Sequence, residues 1–200
     1  MSDALAPTPP GFAAHVHRQT WTVAHPRRAV WAWLDDPATF IDGQLPPYRV
    51  EFVGADGEPA AFAPGVYTAH HGPGMLFAGT LGEITAPAPG QTAYRDLRYG
   101  YGSYAGSLRL ARPTRLQFWV DADGPARTSV TVQLDADVAR RLRPAWALAM
   151  RVFWSGFGRA LSRQVALRRD GAPPSVWRRR PVAALAGAVA LGAAAWAARR

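Results

Sequence analysis

The 200-residue chain has no cysteine, which excludes disulfides, thiolate metal sites and a cysteine nucleophile. Lysine is missing too, so all 23 basic residues are arginine, a pattern that GC-rich codon usage produces without selection for bidentate anion recognition. Residues 1–11 lack the basic start and apolar run of a signal peptide, and export by that route is not expected. No nucleophile-elbow sequence surrounds Ser103, Ser107, Ser155 or Ser162, and Gly100, Gly102 and Gly106 form no phosphate loop. No nucleic-acid-binding motif is present, so a nucleic-acid partner is not expected.

What is present is enough apolar material for a core, 48% hydrophobic with 11% aromatic residues, in a length that fits one domain and an appendage. The net charge of +9 is unevenly spread. Residues 1–138 are mildly acidic, roughly −3, whereas residues 139–200 hold thirteen arginines against Asp170 alone, roughly +12. A basic segment beside an apolar one points to an anionic membrane surface.

Residues 1–13 read as a flexible lead-in. His15 to Val23 has strand character, and His25-Pro26 ends it, with Pro26 suited to a first helical turn before Val30, Trp31 and Leu34. Asp36-Pro37 restarts a short helix through Phe40 and Ile41, ending at Gly43. Strands are then expected over residues 48–53, 66–70, 75–85, 91–99, 115–122 and 128–135, with turns at Ala55-Asp56-Gly57, Pro87 to Gly90 and Asp123-Gly124-Pro125. Residues 103–110 are left as an extension or a loop. A single amphipathic helix is expected from Pro144 to Arg169, with Trp146, Ala149, Met150, Phe153, Phe157, Ala160 and Leu161 on one side and Arg151, Arg159, Arg163 and Arg169 on the other. Gly156 and Gly158 flank Phe157, to admit a close-packed strand or leave space for a ligand.

This order of elements resembles the START-like superfamily, also called SRPBCC, which includes polyketide cyclase-like and lipid-transfer proteins. The resemblance rests on TWTVAHPRRAVWAWLDDPATF, with Ala24, Pro26, Val30, Trp31, Leu34 and Asp35 or Asp36 in matching places, and on GTLGEITAPAPGQTAYRDL, ADGPARTSVTVQLDAD and the long closing helix. It covers residues 14–170 and implies an α+β helix-grip fold, a curved antiparallel sheet wrapped around a long C-terminal helix and an apolar cavity. Members mostly bind hydrophobic small molecules, and only some are enzymes. The residues expected to line such a cavity are Trp21, Leu97, Tyr99, Phe118, Trp146, Met150, Phe153 and Phe157.

Residues 171–181 form a basic, proline-containing linker, and residues 182–198 an uncharged run with arginines on both sides. At 1.5 Å per residue this run spans about 25 Å, the lower edge of what crosses a bilayer. Trp177, Arg178, Arg179, Arg180 and Trp196 are the expected membrane-facing residues, and the excess of arginine on the domain side predicts a single-pass tail anchor with the domain in the cytoplasm. A tail helix lying on the surface, or a soluble one, is the alternative. Gly187 and Gly192 are not at GxxxG spacing, so helix-mediated dimerisation is not argued.

His15 and His17 share a strand face, but no spacing demands a metal site, and neither metal nor cofactor is expected. Tyr94, Asp96 and Arg98 share a face opposite Arg95, Leu97 and Tyr99, and either face can supply a cavity's polar groups. His17, Tyr94 and Asp96 are the only candidates for the acid or base of a cyclase- or aromatase-type enzyme. The leading expectation is a non-enzymatic module that takes a lipid, isoprenoid or polyketide-like molecule at the inner membrane face. The alternatives are such an enzyme, or a membrane-anchored interaction domain with a filled core.

Overall fold

A computed structural model describes residues 7–41, 49–72, 75–100, 104–105 and 110–169. β1 (Phe12–Val23) leads through the His25-Pro26 turn into α1 (Arg27–Leu34) and α2 (Pro37–Ile41). Then come β2 (Arg49–Val53), β3 (Tyr67–Gly72), β4 (Met75–Thr85), β5 (Ala93–Tyr99), the short β6 (Tyr104–Ala105), β7 (Ala111–Ala122) and β8 (Thr128–Ala139). A 3-10 turn at Arg140–Leu142 introduces α3 (Arg143–Trp154), and α4 (Phe157–Arg169) follows.

All pairings are antiparallel in the order β1-β8-β7-β5-β4-β3-β2, with β6 bridging β4 and β7. Register shifts between Leu81 and Ile84 and at Pro113/Arg115 bend the sheet, as an extra residue in one strand does. The hairpin from β7 to β8 turns at Gly124, whose φ of 97° suits glycine. The curved sheet with helices against one face is the helix-grip architecture, and the expected strands fall within a few residues of those observed.

The closing helix departs from expectation: it is two helices, broken at Ser155-Gly156. Ser155 turns back locally, its backbone N–H and its Oγ both donating to the Val152 carbonyl, at 3.3 and 2.8 Å. Glycine at the next position lowers helix stability by about 1 kcal/mol relative to alanine. Two residues on, a Cβ on Gly158 would lie 2.6 Å from the Trp21 ring, so α4 rests its backbone on β1 there. Gly158 thus admits a close-packed strand, while Gly156 has open space around it.

Polar ties fix α4 at the sheet's end. His25 Nε2 lies 2.8 Å from the Ser162 carbonyl, and Asp36 forms an ion pair with Arg168 at 2.8 Å. Asp36 also accepts from the Ala38 N–H at 2.9 Å, which caps α2. Among the described residues no helix is long and apolar enough to cross a membrane; the run 182–198, the linker before it, Gly43, and most of the glycine-rich stretch after Tyr99 lie outside them.

Candidate functional site

Antiparallel register lines up the inner-face residues of the central strands in rows. Ala93, Val120, Val130 and Trp21 form one row, Arg95, Phe118, Val132 and Gln19 the next, and Leu97, Leu116, Leu134 and His17 a third. Helices α1 and α4 cover these rows with Val30, Trp33, Leu34, Phe157, Leu161 and Val165, all buried. Aromatic side chains make two groups. Phe157 touches Trp21, Trp33, Phe118 and Trp154 with ring centroids 5.1–6.5 Å apart. Phe40, Phe52 and Phe62 meet edge-on at 4.6–6.0 Å.

Arg95 lies between the two groups. It is 1% exposed, with its guanidinium carbon 5.0 Å from the Phe40 ring, 4.5 Å from Phe62 and 5.0 Å from Phe118. Aromatic faces attract a cation but supply no acceptors for its N–H groups. Nη1 donates to the Leu34 carbonyl at the end of α1, while Nε and Nη2 have no hydrogen-bond partner among the described residues. No carboxylate among the described residues pairs with it, although Asp35 is near enough to favour its charge. Burial pushes Arg95 down to about 9, which still leaves it charged at neutral pH. An unpaired ion removed from water costs several kcal/mol, so this placement is not neutral packing.

Other polar atoms share the inner face. The Thr68 Oγ1, Trp33 Nε1, Trp154 Nε1 and Gln164 Oε1 atoms are buried without a hydrogen-bond partner among the described residues. Tyr99 is buried, its hydroxyl pushed to a higher pKa by desolvation and eased back by Arg95. The His70 ring meets Tyr99 edge-on at 5.7 Å, and desolvation lowers its pKa to about 4. Burial also raises the Asp35 carboxyl, against the pull of Arg95.

The outer face of the same strands is different. Asp96, fully buried, takes Arg98 at 3.0 Å and Arg115 at 2.6 Å. Arg115 also donates to the Tyr94 hydroxyl, which donates to Gln117, which donates to Asp135. Tyr94 is pushed up to about 12 by desolvation and the Asp96 charge. Of the three sequence candidates for an acid or base, Tyr94 and Asp96 therefore belong to an outer ion-pair lattice. Only His17 faces inward; it is buried, with its pKa lowered by desolvation and then by His15.

The expected cavity-lining residues divide as well. Trp21, Leu97, Tyr99, Phe118, Met150, Phe153 and Phe157 belong to or pack against the main core. Trp146 packs instead with Leu142, Val138 and Ala136 in a second cluster. Thr68, Phe40 and Phe62 are not among the sequence candidates, and Arg95 is placed there on a face able to supply polar groups without being singled out. The available signal for Arg95 was its alternation with Leu97 and Tyr99 on β5. Among the described residues no three His, Asp or Glu side chains are grouped to hold a metal ion.

No family model and no curated protein sequence matches the chain. Several solved structures do. A point mutant of norcoclaurine synthase from Thalictrum flavum, in complex with a transition-state analogue, is similar over 79% of this chain and 98% of its own, at 14% identity and a TM-score of 0.52. The same synthase in complex with dopamine and hydroxybenzaldehyde is similar over 82% of this chain and 97% of its own, at 15% identity and a TM-score of 0.51. A START superfamily protein from Mycobacterium smegmatis is similar over 77% and 99%, at 15% identity and a TM-score of 0.50. At such identities the likeness bears on architecture, and fold alone does not carry an activity. Together with the sheet order and the helices on its inner face, these likenesses establish that the chain has the START-like, helix-grip fold.

Proposed function

We propose that this domain takes a hydrophobic small molecule, such as a lipid, an isoprenoid or a polyketide-like compound, between its sheet and its helices, and does so without catalysing a reaction. The observation that carries this reading is the composition of the inner face. Beside the two aromatic groups, and on two of their own tryptophans, lie buried N–H and O–H groups of Arg95, Trp33, Trp154 and Thr68 that have no hydrogen-bond partner among the described residues. A core that served packing alone would leave few such groups, because each costs roughly 1–3 kcal/mol. Ligand sites combine apolar walls with a small number of polar atoms in this way. Of the three acid or base candidates only His17 faces inward, which favours binding over catalysis.

The reading extends to location. Arg140, Arg141, Arg143, Arg151, Arg159 and Arg163 are exposed on the 3-10 turn and the two closing helices, where they suit an anionic membrane surface. Residues 182–198 would tether the domain there, with the domain on the cytoplasmic side. Lipid extraction and mass spectrometry of protein purified with and without residues 171–200 tests both parts. A co-purifying hydrophobic compound is expected in both preparations, and association with anionic membranes is expected to be stronger in the longer one. Consistently empty protein would reject the binding reading. Changing Arg151, Arg159 and Arg163 together to glutamine should weaken sedimentation with vesicles that contain anionic lipid; unchanged sedimentation would reject the helix surface as a membrane contact.

A further inference from the structure

The two Arg95 nitrogens without a partner are not an arbitrary pair. Nε–H and Nη2–H project from the same edge of the planar guanidinium, and it is this edge that meets both oxygens of a carboxylate in a fork. The other nitrogen, Nη1, is anchored to the Leu34 carbonyl, which fixes the plane of the group. The ring centroids of Phe40, Phe62 and Phe118 stand 4.5–5.0 Å from the guanidinium carbon, so the apolar neighbours of this edge are aromatic. On the outer face the same edge of an arginine does meet a carboxylate: Arg115 places both Nε and Nη2 on one oxygen of Asp96, Oδ2, at 2.7 and 2.6 Å.

We infer that the ligand is a hydrophobic carboxylic acid, whose carboxylate accepts from Nε–H and Nη2–H of Arg95 while its apolar body lies among the aromatic side chains. This deepens the binding reading above and rests on it. An alcohol or ester of the same chain length has no two-oxygen anion to offer, so it leaves the cation unpaired. A carboxylate also supplies Arg95 with the bonded counter-charge that Asp35, near but not hydrogen-bonded to it, does not, and neither alternative does so.

Calorimetric titration of the full chain with dodecanoic acid, its methyl ester and 1-dodecanol tests this. The acid should bind about tenfold more tightly than the ester or alcohol, as a charge-assisted bidentate pair implies. Arg95→Met should remove that preference while keeping binding of the ester. With carboxyl-labelled dodecanoic acid, the bound carboxyl should titrate below the free acid in the wild-type protein, a readout that needs no variant. Equal binding of acid and ester would overturn this inference and leave the binding reading standing. No binding of any of the three would overturn both. If Arg95→Met does not fold, the wild-type preference and the carboxyl titration still decide.

Discussion

Strand β5 presents two arginines to two environments. On the outer face Arg98 meets the Asp96 carboxylate at 3.0 Å, and the surrounding polar side chains extend that pair into a lattice. On the inner face Arg95, one step out of phase, has three aromatic rings, one carbonyl acceptor and, among the described residues, no carboxylate bonded to it, Asp35 being close enough to favour its charge without pairing. Alternation along one strand therefore separates a charge that the fold completes from a charge that it leaves open. A charge completed within the protein holds the sheet together, and an open one is available to something else.

The largest expected effect tests the inner face as a core. Phe157 touches four aromatic side chains, and Phe157→Ala should destabilise the domain by about 3–5 kcal/mol, read by urea denaturation. A cost below about 1 kcal/mol would mean that the interior is loosely filled and that the ring lines space rather than packing. The outer lattice comes next. Asp96→Asn leaves Arg98 and Arg115 without their carboxylate, at a cost of about 2–3 kcal/mol. That is below the full value for a buried pair because both arginine side chains are 29% exposed and reach water.

The Arg95 side of the comparison predicts the opposite. Replacing a buried charge by an apolar side chain of similar length is often neutral or stabilising, so Arg95→Met should change stability by less than about 1 kcal/mol. A loss of 3 kcal/mol or more would show that Arg95 is completed within the fold, as Arg98 is, and the contrast between the faces would fail.

Much of this contrast was legible in the sequence, and its decisive part was not. Leu116, Phe118 and Val120 alternate with Gln117, Trp119 and Asp121 in the sequence, and the structure turns the first set inward. The same rule grouped Arg95 with Leu97 and Tyr99. It did not say which face was buried against helices, because the partners that decide are non-local: Arg115 reaches Asp96 only through the register of β5 with β7. The break in the closing helix was hidden for a similar reason. Gly156 and Gly158 weaken a helix locally, but the Trp21 ring that requires Gly158 is remote in sequence. Once the helix breaks, Trp146 no longer shares a stripe with Phe157 and belongs to a separate cluster.

An effect that is absent at neutral pH and grows only on acidification sharpens the comparison further. The His70 ring sits inward against Tyr99, and desolvation lowers its pKa from the ordinary 6.5 to about 4. The unfolded chain then binds a proton that the folded chain refuses. Stability associated with this group is complete above about 6.5 and is lost as pH falls toward 4, with a slope of at most about 1.4 kcal/mol per pH unit. His15 and His17, also lowered by burial, add to the loss in the same direction. His70→Gln should flatten the stability profile between those two pH values and leave it unchanged above pH 7, as followed by urea midpoints across the range. The outer face offers a control: Arg18→Ala removes a cation from the Trp119 ring and a bond to Gln133, at about 0.5 kcal/mol, without altering the slope. A slope that persists in His70→Gln would place the buried titration on His15 and His17 beneath α3, and so move the pH-sensitive part of the inner face away from Tyr99 and Arg95.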